Sequence, residues 1–148
     1  MTQAPRTGPL VGYVPGAFDL FHVGHLNVLR QAREHCDVLV AGVVSDEVLE
    51  LAKGARPFVP LEERLAIVDA LRFVDWTYAE RTPSKVDAWN TVGFHRIFKG
   101  DDWKDTERGR ALEATLSPYG VEVVYFPYTV HTSSTQLRGL ITSDRSAS

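Results

Sequence analysis

The chain is most informative at first in what it lacks. It has one cysteine, Cys36, in 148 residues, which excludes an intramolecular disulfide framework and any multi-cysteine metal site. Basic residues are not in excess: 16 Lys and Arg stand against 19 Asp and Glu, for a net charge of -3 and a pI near 5.9. That balance argues against a nucleic-acid surface of the usual basic kind. A nucleotide, which needs only a few well-placed cations, remains compatible with it. No apolar run approaches the roughly 20 residues needed to span a bilayer. The segment Met1–Pro9 has one Arg and no apolar core, so it does not read as a secretory signal. It reads as a flexible lead-in (1–9), followed by a single domain over 10–141 and a polar tail over 142–148, in a cytoplasmic protein. Repeats and low-complexity linkers are absent from the sequence.

What is present is an ordinary globular composition, 44% hydrophobic and 24% charged, in a length that fits one domain with a real core. The stretch around which the rest is arranged is Gly16-Ala17-Phe18-Asp19-Leu20-Phe21-His22-Val23-Gly24-His25. It follows the apolar run Leu10–Val14 and leads into Leu26, Leu29 and Ala32, which recur at intervals of three. A strand, a turn with glycine and a helix start form a phosphate-binding arrangement, because free N–H groups and the positive dipole end face an anion. Two histidines three apart are, by default, a chance or core pair. Here Gly16, Gly24, the preceding strand and the helix start give the pair a functional meaning. A zinc site is not expected, since no Cys or acidic partner stands nearby, and no protein-held metal is assigned.

Val38–Val44 is a short β-branched apolar run, the pattern of a strand buried on both faces of a parallel sheet. Strand, helix and strand at this spacing form a βαβ unit. Ser45 caps a short helix to about Leu51, and Lys53-Gly54-Ala55-Arg56-Pro57 reads as a loop. Pro60 falls in the first turn of a second long helix whose apolar face is Leu61, Leu65, Val68 and Leu71. Arg64 and Arg72 lie off that face in this reading. Further elements are expected as a strand over Phe73–Tyr78, a helix from Ser84 to about Thr91, a strand over Arg96–Lys99 and a helix over Thr106–Leu116. A strand over Val121–Phe126 and a helix over Gln136–Leu140 complete the series. Alternation of this kind predicts an open, doubly wound α/β sheet with its ligand at the carboxyl ends of the strands. The histidine corner, the Gly100 loop and the hydroxyls Thr132–Thr135 all fall there.

Gly100-Asp101-Asp102-Trp103 supports two readings: turn formers with a solvated face, or carboxylates that meet magnesium or a base amino group. The Ser/Thr run is likewise explained by helix capping alone or by phosphate binding. Lys53, Arg56, Arg64 and Arg72 are either exposed charges or a cationic rim suited to a triphosphate.

The segment G-x-F-D-x-x-H-x-G-H resembles the fingerprint of the HxGH nucleotidyltransferases, and the chain from about Gly12 to Arg138 is similar to the glycerol-3-phosphate cytidylyltransferase group. Ser45-Asp46-Glu47, Glu63-Arg64, Arg72-Phe73-Val74-Asp75, Gly100-Asp101-Asp102-Trp103 and Ser133-Ser134-Thr135 carry the likeness. The resemblance implies a Rossmann-like doubly wound five-stranded parallel sheet with helices on both faces. It implies transfer of a cytidylyl group from CTP, with Mg2+, to a phosphorylated small alcohol, best matched by glycerol 3-phosphate, with release of diphosphate. Runner-up acceptors are a phosphonate, phosphoethanolamine, phosphocholine or a sugar phosphate; ATP is the runner-up donor.

By the same resemblance His22, His25, Lys53 and Arg72 are catalytic. Gly16, Ala17, Phe18, Asp19, Gly24, Arg64, Gly100, Asp101, Asp102, Trp103, Thr132, Ser133 and Ser134 hold the nucleotide, and the chain is a homodimer. Two features depart from the pattern. Ala17 replaces a common threonine. Where the family reads R-T-x-G-I-S after the fifth strand, this chain has Tyr128-Thr129-Val130-His131-Thr132-Ser133, so an arginine and a glycine are replaced. His131 and Arg138 are the candidates to restore the cation.

Overall fold

The computed structural model describes residues 7–127 and 134–147. The first six residues of the expected lead-in lie outside the described residues. In chain order the elements are β1 (Val11–Gly16), α1 (Val23–Arg33), β2 (Val38–Val44), α2 (Asp46–Lys53), α3 (Leu61–Asp69) and β3 (Trp76–Glu80). They continue with α4 (Lys85–Val92), β4 (Arg96–Gly100), α5 (Glu107–Leu116), β5 (Glu122–Phe126) and α6 (Ser134–Ala147).

All five strands are parallel in the order β3-β2-β1-β4-β5. The chain winds outward from β1 in one direction and then from β4 in the other, so the switch point lies between these two strands. Alternating side chains feed two cores. Leu39, Ala41, Val43, Val14 and Phe98 pack with Leu29 of α1 and Val68 of α3. Tyr13, Val40 and Ile97 pack on the other face with Ala88 of α4 and Leu112 and Leu116 of α5. This two-sided burial is why β2 has no polar position, and each fully buried aliphatic contributes about 1.5–3 kcal/mol.

The β1–β4 ladder is short. Its register is Gly12 with Arg96 and Tyr13 with Ile97, whereas β1 pairs with β2 through Gly16. Pro15, which has no N–H to donate, therefore sits beyond the β4 ladder, opposite Gly42 of β2. Tyr13 reaches past Gly42 to give its hydroxyl proton to buried Glu80. A Cβ on Gly42 would lie 1.9 Å from that hydroxyl, so the path across β2 requires glycine.

Three expectations shift. β3 starts at Trp76 rather than Phe73, because Val74 N–H donates back to Leu71 O (3.2 Å) in a turn. Asp75 then fixes the entry by accepting from Leu39 N–H at 2.8 Å. Pro60 is the N-cap residue of α3, not its first turn. The last helix, expected over Gln136–Leu140 before a frayed tail, runs from Ser134 to Ala147. Cys36 lies just past α1, half-buried, its thiol donating to Ala32 O at 3.3 Å. No helix among the described residues is long and apolar enough to cross a membrane.

Candidate active site

The turn from β1 into α1 is held in an unusual backbone shape. Phe18 and Leu20 have φ of 53° and 52°, a region costly for residues with a side chain, at roughly 1–3 kcal/mol each. The surroundings impose it. Phe18 is buried, and the Asp19 carboxylate, with no exposure, accepts from the N–H groups of Phe58 and Val59 at 2.9 Å each. Arg138 of α6 donates to the same carboxylate at 2.7 Å. Burial alone would raise the Asp19 pKa, but the Arg138 hydrogen bond, the two backbone N–H groups and the Arg138 charge outweigh it and hold the carboxyl below its usual value. Asp19 was expected to hold nucleotide; the structure makes it the tie between this turn, the 58–59 segment and α6.

This shaped turn delivers His22 as the N-cap of α1. Its Nδ1 accepts from Gly24 N–H at 3.0 Å, and His25 Nδ1 accepts from His22 N–H at 3.2 Å, a reciprocal cap. The two rings stack with centroids 4.0 Å apart. A ring that accepts at Nδ1 carries its proton on Nε2 when neutral, so each histidine is a fixed Nε2–H donor at the positive end of a helix. Burial lowers the His22 pKa. Burial first, then the neighbouring His22 and Arg138, lower His25 to about 4, against the opposing pull of Asp19. Both imidazoles are thus neutral donors at pH 7.

That shift has a consequence for stability. Between pH 6.5 and about 4 the unfolded chain protonates His25 while the folded chain does not, so acidification favours unfolding across this window. Thermal melts from pH 7 to 4 are expected to fall more steeply for the native chain than for His25→Gln. Parallel profiles would contradict the assignment.

The cations expected at the rim separate into different roles. Lys53 ends α2, exposed; its ammonium is lowered first by partial desolvation and then by Arg138, while Asp19 raises it, which puts it in the electrostatic reach of the corner. Arg64 is not a rim group. Its guanidinium is fully buried and donates to Val59 O (2.7 Å), Ala17 O (2.6 Å), Val44 O (2.7 Å) and Asp46 (2.6 Å). A nucleotide cannot recruit donors so engaged, and the expected contact is replaced by a structural one. Exposed Arg56 pairs with Glu50, Glu47 and Asp46. Arg72 is exposed in the turn between α3 and β3, at the amino ends of the strands. Within one chain it stands on the edge opposite the histidines, so it does not join them.

Gly100 closes β4, and Asp101–Trp103 form a single 3₁₀ turn. Asp101 is exposed, and Asp102 is paired with Arg108 at 3.2 Å. The half-buried Trp103 ring carries the Lys99 ammonium at 3.8 Å and the Arg108 guanidinium at 4.4 Å. Thr106 caps α5 and also donates to Trp103 O at 2.5 Å. Gly109 lies so close beneath that a Cβ would sit 1.9 Å from the same carbonyl. Gly109→Ala is expected to displace this turn, lowering stability by about 1–3 kcal/mol. A urea melt checks this, and an unchanged midpoint would contradict the packing.

Gly16 and Gly24 are in the corner, the Ala17 carbonyl accepts from Arg64, and Ser134 opens α6. Thr132, Ser133, Tyr128 and His131 lie outside the described residues. Arg138, a candidate to restore the missing cation, is the donor to Asp19. One group went beyond the expected residues. Lys99 had only its position beside Gly100.

Fold and corner together place a helix-borne histidine pair at the carboxyl edge of the β1–β4 switch point of a parallel α/β sheet. The chain belongs to the cytidylyltransferase-like family, whose model matches residues 13–140. It is 34% identical over 137 residues to the bifunctional protein HldE of Yersinia pestis (strain Pestoides F), covering 90% of this chain and 28% of that one. The chain thus spans under a third of the length of this relative. Among solved structures it is similar to the lipopolysaccharide core biosynthesis protein of Thermoplasma volcanium GSS1. That likeness has a TM-score of 0.71 and 24% identity, covering 84% of this chain and 100% of that one. The pantoate-beta-alanine ligase of Francisella tularensis aligns at a TM-score of 0.66 and 12% identity, covering 88% and 65%. These structural likenesses concern the fold.

Proposed function

We propose that the chain transfers a nucleotidyl group from a nucleoside triphosphate to the phosphate of a small acceptor. The observation that carries this reading is the pair of neutral Nε2–H donors, each fixed through Nδ1, at the start of α1. An acceptor phosphate oxygen attacks the α-phosphorus, the bond between that phosphorus and the bridging oxygen breaks, and diphosphate leaves. The chain supplies position and electrostatic stabilisation. His22 and His25 donate to phosphate oxygens as charge builds there. Lys53 attracts the triphosphate, and Arg138 holds Asp19 and with it the corner. Mg2+ enters on the triphosphate and offsets its charge.

CTP is the proposed donor, on the strength of the Gly100–Trp103 turn, and glycerol 3-phosphate the first acceptor, from the chain's resemblance to the glycerol-3-phosphate cytidylyltransferase group. The chain works in this reading as a cytoplasmic homodimer. A second reading, ATP as donor and a sugar phosphate as acceptor, draws support from the replaced arginine at Tyr128. Diphosphate release with each of the four triphosphates and Mg2+, against glycerol 3-phosphate, phosphoethanolamine, phosphocholine, a hydroxyalkyl phosphonate and hexose 1-phosphates, separates the two. CTP with a phosphorylated alcohol gives the first, ATP with a sugar phosphate the second. No release with any pair would refute both.

A further inference from the structure

We propose that Lys99 is the residue that binds the anionic group of the acceptor, a specificity determinant on the side of the sheet opposite the histidines. This rests on the nucleotidyl-transfer reading above. In-line displacement places attacking and leaving oxygens on opposite sides of the α-phosphorus. His22 and His25 begin α1, which packs on the face lined by Val14 and Phe98. Lys99 follows Phe98 in β4 and therefore points to the other face, the one lined by Ile97 and Tyr13. If the histidines hold the departing end of the triphosphate, the incoming phosphate arrives on the Lys99 side of the switch point.

The charges around Lys99 single it out. Lys85 is bound to Glu80 at 2.6 Å, and Arg108 to Asp102 at 3.2 Å. Lys99 has no carboxylate within ion-pair distance among the described residues; its ammonium rests on the Trp103 ring at 3.8 Å. An aromatic face orients a cation while leaving its N–H bonds to serve a ligand. The last β1–β4 pair is Tyr13 with Ile97, so Lys99 lies beyond it, at the carboxyl end of β4 beside the switch point. Burial, then Lys85, lower its pKa to about 8; Glu80 and Asp102 act against this, and Arg108 with it. Lys85, Lys99 and Arg108 outnumber Glu80 and Asp102 by one charge, an excess that an anionic phosphate would offset.

The test is steady-state kinetics on the full chain, with the donor and acceptor pair that turns over in the panel above, for wild type, Lys99→Met and Lys99→Arg. Lys99→Met is expected to raise KM for the acceptor roughly 10–100-fold, the range for loss of one charge-assisted hydrogen bond, with KM for the triphosphate within about twofold. Lys99→Arg is expected to recover most of that loss. Wild-type KM for the acceptor should rise above pH 8, Lys99→Met should be flat, and Lys99→Arg should stay low to pH 9.5, because guanidinium keeps its charge. A melting temperature for each variant separates a binding effect from a folding one. An unchanged acceptor KM in Lys99→Met would overturn the inference while wild-type turnover left nucleotidyl transfer standing. A raised KM for the triphosphate instead would overturn it in favour of nucleotide binding by Lys99. Absence of transfer by the wild type would remove the underlying reading and this inference with it.

Discussion

His22→Ala and His25→Ala are each expected to lower turnover by about 10²–10³-fold, the cost of removing one preorganised donor from a developing anion. The loss should fall on kcat more than on KM for the triphosphate, because the donors matter most when charge builds on the transferred phosphorus. The two rings act as one unit, since His22 N–H donates to His25 Nδ1 and Gly24 N–H to His22 Nδ1. The double variant should therefore lose less than the product of the single losses. Folding should persist in both, as the core of α1 is Leu29 and Ala32 on its inner face. Rapid-quench measurement of a single turnover checks the chemical step, and near-native rates in either variant would remove the histidines from it.

Arg64→Leu is the second large effect, and it is an effect on stability. The substitution leaves the carbonyls of Ala17, Val44 and Val59 without their donor and Asp46 without its buried partner. Breaking a buried charge pair from one side costs about 3–5 kcal/mol, a large share of the roughly 5–15 kcal/mol that holds a domain together. Since Ala17 adjoins the strained Phe18 and Val59 accompanies the Asp19 tie, the corner should loosen before the sheet does. A urea midpoint for Arg64→Leu close to wild type would contradict the structural role given to this guanidinium.

These two effects mark what the sequence discloses and what it hides. The shape of the histidine corner was legible because it is local: a strand, a turn and a helix start fall within one short stretch. The sheet was legible for a similar reason, since Val38–Val44 admits no polar residue and so has to be covered on both faces. Arg64 was hidden by its charge, which suggests solvent. Its spacing told otherwise, because Leu61, Arg64 and Val68 form one buried stripe of α3. Arg72, expected beside the histidines, stands apart from them within one chain, because a helix that leaves the carboxyl edge delivers its last turn to the amino edge. Asp19 fits the fingerprint, yet its partners Phe58, Val59 and Arg138 are remote in sequence, and only the fold brings them together. Lys99 shows the same limit. Strand alternation gives its face, but the Trp103 ring beneath its ammonium depends on how the 3₁₀ turn closes.

The proposed function requires that an α-phosphorus move directly from a triphosphate to an acceptor phosphate at the His22–His25 corner. When the reaction is followed by 31P NMR with the active donor and acceptor, the acceptor monophosphate signal should give way to a coupled pair from a new diphosphate linkage, while free diphosphate appears in equal amount. Both changes should be slowed by about 10²–10³-fold in His22→Ala. Formation of a nucleoside diphosphate and inorganic phosphate, with the acceptor signal unchanged, would contradict it.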